Sequence, residues 1–279
     1  MEAPLAKTAP EALRELWTTA RLAATALDTI DLPAQRPVLP SSFAVTTAAQ
    51  SSLGAAALAA AQIGLRRGGP AQRVTVDAEH VALDSLGWFT VNGQAPAVWG
   101  KVSGLYRCAD GWVRIHANFE HHRDGALRLL GLPPGPQTEH AEVAEALRGW
   151  RAVDFETAAA DAGLVVAAAR SFAQWDAHPQ AAVLEKQPVV AIERIADAPR
   201  RPLVPWREDG QPLDGLRVLD LTRILAGPVA GRTLAAYGAD VMLVNSPHLP
   251  NIDSIADTSR GKLSAHIDLA LETGRETLR

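Results

Sequence analysis

Six residues, Arg223-Ile224-Leu225-Ala226-Gly227-Pro228, lie between a short apolar run, Arg217 to Leu221, and a helical stretch that ends at Gly238. A strand-to-helix turn of this kind is a natural anion site, because the first amides of a helix lack intrahelical acceptors and point at whatever sits before them. The turn is not a Walker loop: no GK[ST] follows it, and Gly227 and Gly231 are spaced wrongly for one. It is not G-x-G-x-x-G either, and the next strand, Asp240 to Val244, leads to Asn245 where a dinucleotide-binding unit places Asp or Glu. A nicotinamide enzyme is thereby disfavoured. Lysine is scarce, with Lys7, Lys101, Lys186 and Lys262 alone in the chain. One that falls near such a turn therefore draws attention as an anion ligand.

Other reactive side chains lead less far. His116, His121 and His122, with Glu120 and Asp124 nearby, fit no zinc spacing and read as exposed or helix-capping residues, so no metal is expected. Cys108 is the single cysteine, which excludes an internal disulfide. With no partner base visible in the sequence, it reads as a small strand residue. Gly100-Lys101-Val102-Ser103-Gly104 lacks the G-x-S-x-G of a nucleophile elbow. The net charge of -4 supplies no global basic field, and the scattered tryptophans form no stacking platform, so neither nucleic acid nor an anionic membrane is an expected partner. The longest near-apolar run, Leu53 to Leu65, is 13 residues, too short to span a bilayer. The charged N-terminus lacks the apolar core of a signal peptide, and a cytoplasmic location is expected.

The elements that must position these residues follow from pattern. Thr8 and Glu11 form a capping box for a helix to Arg21. Residues 28–40 are proline-punctuated and extended. A helix runs from Ser41 or Ser42 to about Leu65, stopped by Arg66-Arg67-Gly68-Gly69-Pro70. Gln72 to Asp77 alternates as a strand, and Ala109-Asp110-Gly111 joins Leu105–Cys108 to Trp112–His116 in a hairpin. Helices follow near 122–130, 139–150, 153–162 and 171–182, then a strand over Val189 to Ile195. A proline-rich stretch, Ala198 to Asp214, marks a domain boundary. Beyond it the pattern is β-α-β, with parallel pairing implied, then alternation over Leu263 to Leu269 and a helix from Glu272.

Pro212 to Pro228, then Leu234-Ala235-Ala236-Tyr237-Gly238-Ala239-Asp240-Val241, then Arg260-Gly261-Lys262-Leu263-Ser264 and Ile267-Asp268-Leu269 together resemble the opening of the class III CoA-transferase family. This is the CaiB/BaiF group, which also includes α-methylacyl-CoA racemases. Ala55 to Gln72 with Val74-Thr75-Val76, the Tyr106-to-Gly111 hairpin and Ser171 to Gln180 resemble later segments of the same family. The order is therefore inverted. It reads as a circularly permuted arrangement cut short, or as a partial copy followed by the start of another, and the uncapped last helix favours a cut chain.

The resemblance implies an α/β fold with a Rossmann-like parallel sheet part and a smaller α+β domain. The divisions are an N-terminal helix and extended segment (1–40), helix and strand of the CoA-transferase-like core (41–100), the smaller domain (101–200), a linker (201–214) and an incomplete CoA-binding βαβ part (215–279). It further implies an interlocked homodimer that moves CoA between carboxylic acids through an aspartyl anhydride and an aspartyl-CoA thioester. CoA thioesters and carboxylic acids would be its substrates, with no tightly bound cofactor. The nucleophilic aspartate has no counterpart here, so no catalytic residue is assigned. Ile224, Leu225 and Ala226 match the turn that touches CoA, Lys262 matches a basic residue near its phosphates, and Arg260 is a helper. Asn245 and Ser246 stand where the family often has Glu and a basic residue at the adenosine end. The alternatives are a non-catalytic CoA-binding or dimerisation module, or an acyl-CoA racemase.

Overall fold

A computed structural model describes residues 7–33, 38–199, 201–249 and 251–279. Parts of the N-terminal segment, of the 28–40 stretch and of the linker thus lie outside the described residues. The chain forms two compact units, one of Met1–Pro96 with Pro188–Arg279, the other of Ala97–Gln187.

In the first unit, α1 (Ala9–Thr19) starts at the expected capping box, with Thr8 and Glu11 each bonding the other's backbone amide. Its buried residues, Ala9, Leu13 and Trp17, recur every four positions and pack with the chain through Leu32. A 3₁₀ segment (Ala24–Thr29) leads to β1 (Ile30–Asp31). The helix α2 (Val45–Arg66) starts later than the serines suggest, and no side chain caps it. The strand expected over Gln72 to Asp77 contracts to β2 (Val74–Thr75), paired in parallel with β1. Asp77 caps α3 (Ala78–Ser85), accepting from the amides of Glu79 and His80.

The second unit holds an antiparallel sheet, β3 (Gly104–Arg107), β4 (Trp112–Ile115) and β5 (Val166–Ala168), in that order. The Ala109-Asp110-Gly111 turn joins β3 to β4 as the sequence suggests. Its helices are α4 (Glu120–Leu129), α5 (His140–Leu147), α6 (Ala152–Asp161), α7 (Phe172–Asp176) and α8 (Pro179–Leu184). The helix read over 171–182 breaks into two because Pro179, which has no amide hydrogen, starts a new turn capped by His178. Tyr106, Val113, Ile115, Leu127, Val143, Leu147 and Phe155 make one core on the inner face of the sheet. Cys108 is buried in it, and burial, followed by the nearby Asp110 charge, pushes its thiol up and away from nucleophile chemistry.

The strand expected over Val189 to Ile195 is absent. Those residues are unpaired, and Ile195 is 94% exposed. β-Propensity without a partner strand makes no strand.

The first unit is completed by β6 (Arg217–Asp220), α9 (Ala226–Ala236), β7 (Asp240–Asn245), α10 (Ile255–Thr258), β8 (Leu263–His266) and α11 (Glu272–Leu278). The strands form a parallel sheet in the order β6-β7-β8. The protein is thus mixed α/β, with a Rossmann-like parallel part and a smaller α+β unit.

Arg67, just past α2, ties the early and late parts of the first unit together. It is 8% exposed, and its guanidinium donates to the carbonyls of Val204 (2.6 Å), Gln211 (2.9 Å) and Pro212 (2.7 Å). Its own carbonyl accepts from the Trp206 amide at 2.8 Å. Ile63 of α2 packs on the cluster of Leu213, Ala239 and Val241 beneath β7. Replacing Arg67 by Ala strands three carbonyls without their donor, and we expect a loss of roughly 2–4 kcal/mol in urea unfolding. An unchanged midpoint would show that the two stretches do not depend on each other.

Candidate functional site

The site is built where β6 ends. Asp220, its last residue, faces α9 and is buried, and its side chain meets Lys262 from the turn before β8. Lys262 Nζ donates to Asp220 Oδ2 at 2.8 Å and to the Pro228 carbonyl, in the first turn of α9, at 2.7 Å. The other carboxylate oxygen accepts from the Thr222 amide (3.0 Å) and hydroxyl (2.5 Å). Side-chain exposure is 0% for Lys262 and 2% for Asp220. Burial pushes the Asp220 carboxyl up. The opposing hydrogen bonds from Lys262 and Thr222, aided by the Lys262 charge, outweigh it and hold the group below the usual carboxylate range.

Two glycines let α9 come this close. A Cβ on Gly231 would collide with Asp220 Oδ2, and one on Gly227 would collide with the Thr222 side chain. No other residue leaves room for the helix to lie on the ion pair.

The turn itself is strained. Ile224 has φ 73°, a left-handed conformation that a β-branched residue enters at a cost of order 1–2 kcal/mol. Leu225 precedes α9 with φ -128° and ψ -64° and no side-chain cap. The side chains of Ile224 and Leu225 are partly exposed, so the strain is not repaid by deep burial. Ile224 borders a small depression with Thr222, Pro228, Ile252 and Ile255.

Of the residues singled out from sequence, Ile224, Leu225 and Ala226 form one continuous turn, and Lys262 reaches it through the Pro228 carbonyl. Lys262 is enclosed there, with its charge already paired. Arg260 does not join them. Its guanidinium pairs with Asp257 at 2.6 Å, and it lines a separate open cleft of about 620 Å³ with His80, Asp84, Arg232 and Tyr237. Arg232 closes one side of that cleft by bridging Asp84 (2.8 Å) and Asp257 (2.7 Å).

A second depression of about 260 Å³ opens at the carboxyl ends of the three parallel strands, where ligands of open α/β sheets bind. Leu221, Val244, Ile267 and Leu269 give it apolar walls, and Arg223, Asn245, His248 and Asp268 its polar groups. His248 Nε2 lies 2.9 Å from Asp268 Oδ2, and Asn245 holds the following loop by accepting from Asn251 at 3.0 Å. The sequence alone does not single out Asp220, Thr222 or His248. The Asp-x-Thr ending of β6 was the available signal, since a hydroxyl two residues on can bond a strand-end carboxylate.

The His121 and His122 rings are tilted at 60° with centroids 4.1 Å apart, and His122 Nδ1 is buried without a hydrogen-bond partner. Among the described residues, no three His, Cys, Asp or Glu side chains gather as a metal set. Nor is any described helix long and apolar enough to cross a membrane.

The sequence model of CoA-transferase family III matches residues 18–204 and 213–279. The chain belongs to that family. As a family III member it is 30% identical over 191 residues to an acyl-CoA transferase of Gibberella moniliformis, covering 64% of this chain and 33% of that protein. It is 42% identical over 84 residues to the acetyl-coenzyme A transferase nodX of Hypoxylon pulicicidum, covering 30% and 14%. The chain therefore spans a third or less of the length of these two relatives. Among solved structures, Rv3272 from Mycobacterium tuberculosis aligns with TM-score 0.43 and 23% identity over 67% of this chain and 56% of that one.

The buried pair makes two measurable predictions. Lys262→Ala leaves a buried carboxylate without its cation and should cost about 3–5 kcal/mol, read as a drop in the urea midpoint. Asp220 has a depressed carboxyl pKa in the folded state. Its contribution is therefore complete above the unfolded value of about 3.9 and is lost as pH falls through the lower folded value. Asp220→Asn should flatten the acid limb of stability against pH. An acid limb as steep as wild type would assign that dependence to other carboxylates.

Proposed function

We propose that this chain supplies the CoA-binding part of a class III CoA-transferase, an enzyme that moves CoA between carboxylic acids through an aspartyl anhydride and an aspartyl-CoA thioester. The observation that carries the reading is the strained turn at Ile224. It sits at the carboxyl end of a parallel strand, immediately before Ala226 and Gly227, whose amides open α9 without a side-chain cap. Strain held at a ligand-binding turn is repaid when backbone groups meet their ligand. Ile224, Leu225 and Ala226 contact CoA through backbone and small side-chain surface, and the nucleotide lies over the carboxyl ends of β6, β7 and β8. Arg260 lines the neighbouring cleft with Arg232, and it meets the phosphates where the ligand extends from the turn into that cleft, once its guanidinium turns from Asp257. Lys262 acts from beneath, fixing the first turn of α9 against Asp220 and so the position of the amides that face the ligand. The protein works as a homodimer in the cytoplasm, with the acyl donor and acceptor both bound as CoA thioester and free acid in turn.

The catalytic carboxylate is not assigned to this chain. Asp220 is the one buried carboxylate among the described residues, and its two oxygens are occupied by Lys262 and Thr222. A nucleophile must present a free oxygen to the thioester carbonyl. That occupancy also favours the second reading, a non-catalytic CoA-binding or dimerisation module.

Calorimetry with CoA and dephospho-CoA tests the site. Arg260→Ala should weaken both ligands by roughly tenfold, since both retain the diphosphate. Ile224→Gly should change stability by less than about 1 kcal/mol, the relief of strain offsetting the added chain entropy. It should nevertheless lower CoA affinity. Equal affinity in both variants would remove the turn and Arg260 from the site. Incubating the chain with an acyl-CoA and a panel of free acids should give no exchanged thioester by mass spectrometry. A hydroxylamine-trapped adduct on Asp220 or Asp240 would place the nucleophile here after all.

A further inference from the structure

The antiparallel sheet of the second unit is covered on one face only. Alternation sends Tyr106, Val113 and Ile115 into the core and sends Leu105, Arg107, Trp112 and Arg114 outward. The register places Leu105 opposite Arg114, and Arg107 opposite Trp112, with Ala167 of β5 beside Arg114. Trp99, from the preceding loop, lies over the same face, with the Arg114 guanidinium 4.5 Å from its ring centroid. Arg107 lies 5.9 Å from the Trp112 ring. Leu105 is 52% exposed, Trp99 58% and Trp112 43%.

The two arginines differ from the others that structure this protein. Arg67, Arg151, Arg170 and Arg232 each spend their donors on carbonyls or carboxylates. Among the described residues, the side chains of Arg107 and Arg114 make no hydrogen bond or ion pair, only contacts with aromatic rings. A guanidinium stacked on an indole keeps its edge donors free and in a fixed plane, ready for a carboxylate fork. Exposed tryptophan and arginine together are the residue types that dominate binding energy at protein interfaces.

We propose that this sheet face is a docking surface for an acidic polypeptide segment, whose carboxylates are gripped by Arg107 and Arg114 and whose apolar side chains lie on Trp99, Leu105 and Trp112. Charge complementarity selects this partner. The face carries two unpaired cations and no carboxylate among the residues just named. A copy of the same face would set arginine against arginine. A nucleic acid would need a wider basic field than two cations on a chain of net charge -4 provide. The surface belongs to the second unit and does not depend on the proposed CoA site.

The experiment uses the 279-residue chain and fluorescein-labelled poly-L-glutamate, followed by anisotropy, with poly-uridylate as the nucleic-acid arm. Wild type should bind poly-L-glutamate with an affinity that falls as salt is raised. Arg107→Glu with Arg114→Glu should weaken it roughly tenfold or more, with an unchanged circular dichroism spectrum. Arg148→Glu, a charge-matched change at the end of α5, which packs on the covered side of the sheet, should leave binding as it was. Trp112→Ser gives a second reading in which the face loses an anchor and keeps its charge, and it should also weaken binding. No binding by wild type, equal weakening by Arg148→Glu, or tighter binding of poly-uridylate would each overturn the proposal.

Discussion

An ammonium group with no access to water sits between the Asp220 carboxylate and the Pro228 carbonyl, and three elements meet on it. Asp220 ends β6, Lys262 precedes β8, and Pro228 lies in the first turn of α9. Desolvating two charges costs several kcal/mol each, and the cost is offset only when geometry is good and remaining donors and acceptors are filled. Here Thr222 fills the second carboxylate oxygen. The arrangement then tolerates little movement, because either charge left alone would be buried and unpaired. The pair's value lies less in net stability than in fixing where the turn between β6 and α9 must run.

That constraint reaches the turn between β6 and α9. The glycines of α9 exist where they do because the helix must lie directly on the ion pair. With α9 held down and β6 ending at a fixed point, the chain between them has only a few residues to reverse direction. Ile224 absorbs the demand with a left-handed backbone. The strain sits at the start of α9, beside the carboxyl ends of the sheet.

A second constraint holds the first unit together. Arg67 gathers three carbonyls from the 204–212 stretch onto the end of α2, and Ile63 supplies part of the core beneath β7. The early helix and the late sheet are thus one packing problem. The second unit solves its own, with a core on one side of its sheet and an uncovered row of arginine and tryptophan on the other.

Local signals determined much of this from sequence alone. The capping box at Thr8, the Asp-Gly hairpin, the β-α-β order from Arg217 to Val244 and the family resemblance are all carried by neighbours along the chain, where propensity, turn chemistry and motif spacing act. The strand-to-helix turn at Ile224, Leu225 and Ala226 was legible for the same reason. What the tertiary structure alone decided are the pairings between residues far apart. The burial of Lys262 depends on Asp220, 42 positions away. The bridge from Arg232 to Asp84 spans 148 positions, and Val189 to Ile195 stays unpaired for want of a strand beside it. A lysine near a turn reads as a phosphate ligand until its partner is known. Whether a charge meets solvent, ligand or a buried carboxylate is set by long-range packing, which composition and periodicity do not encode.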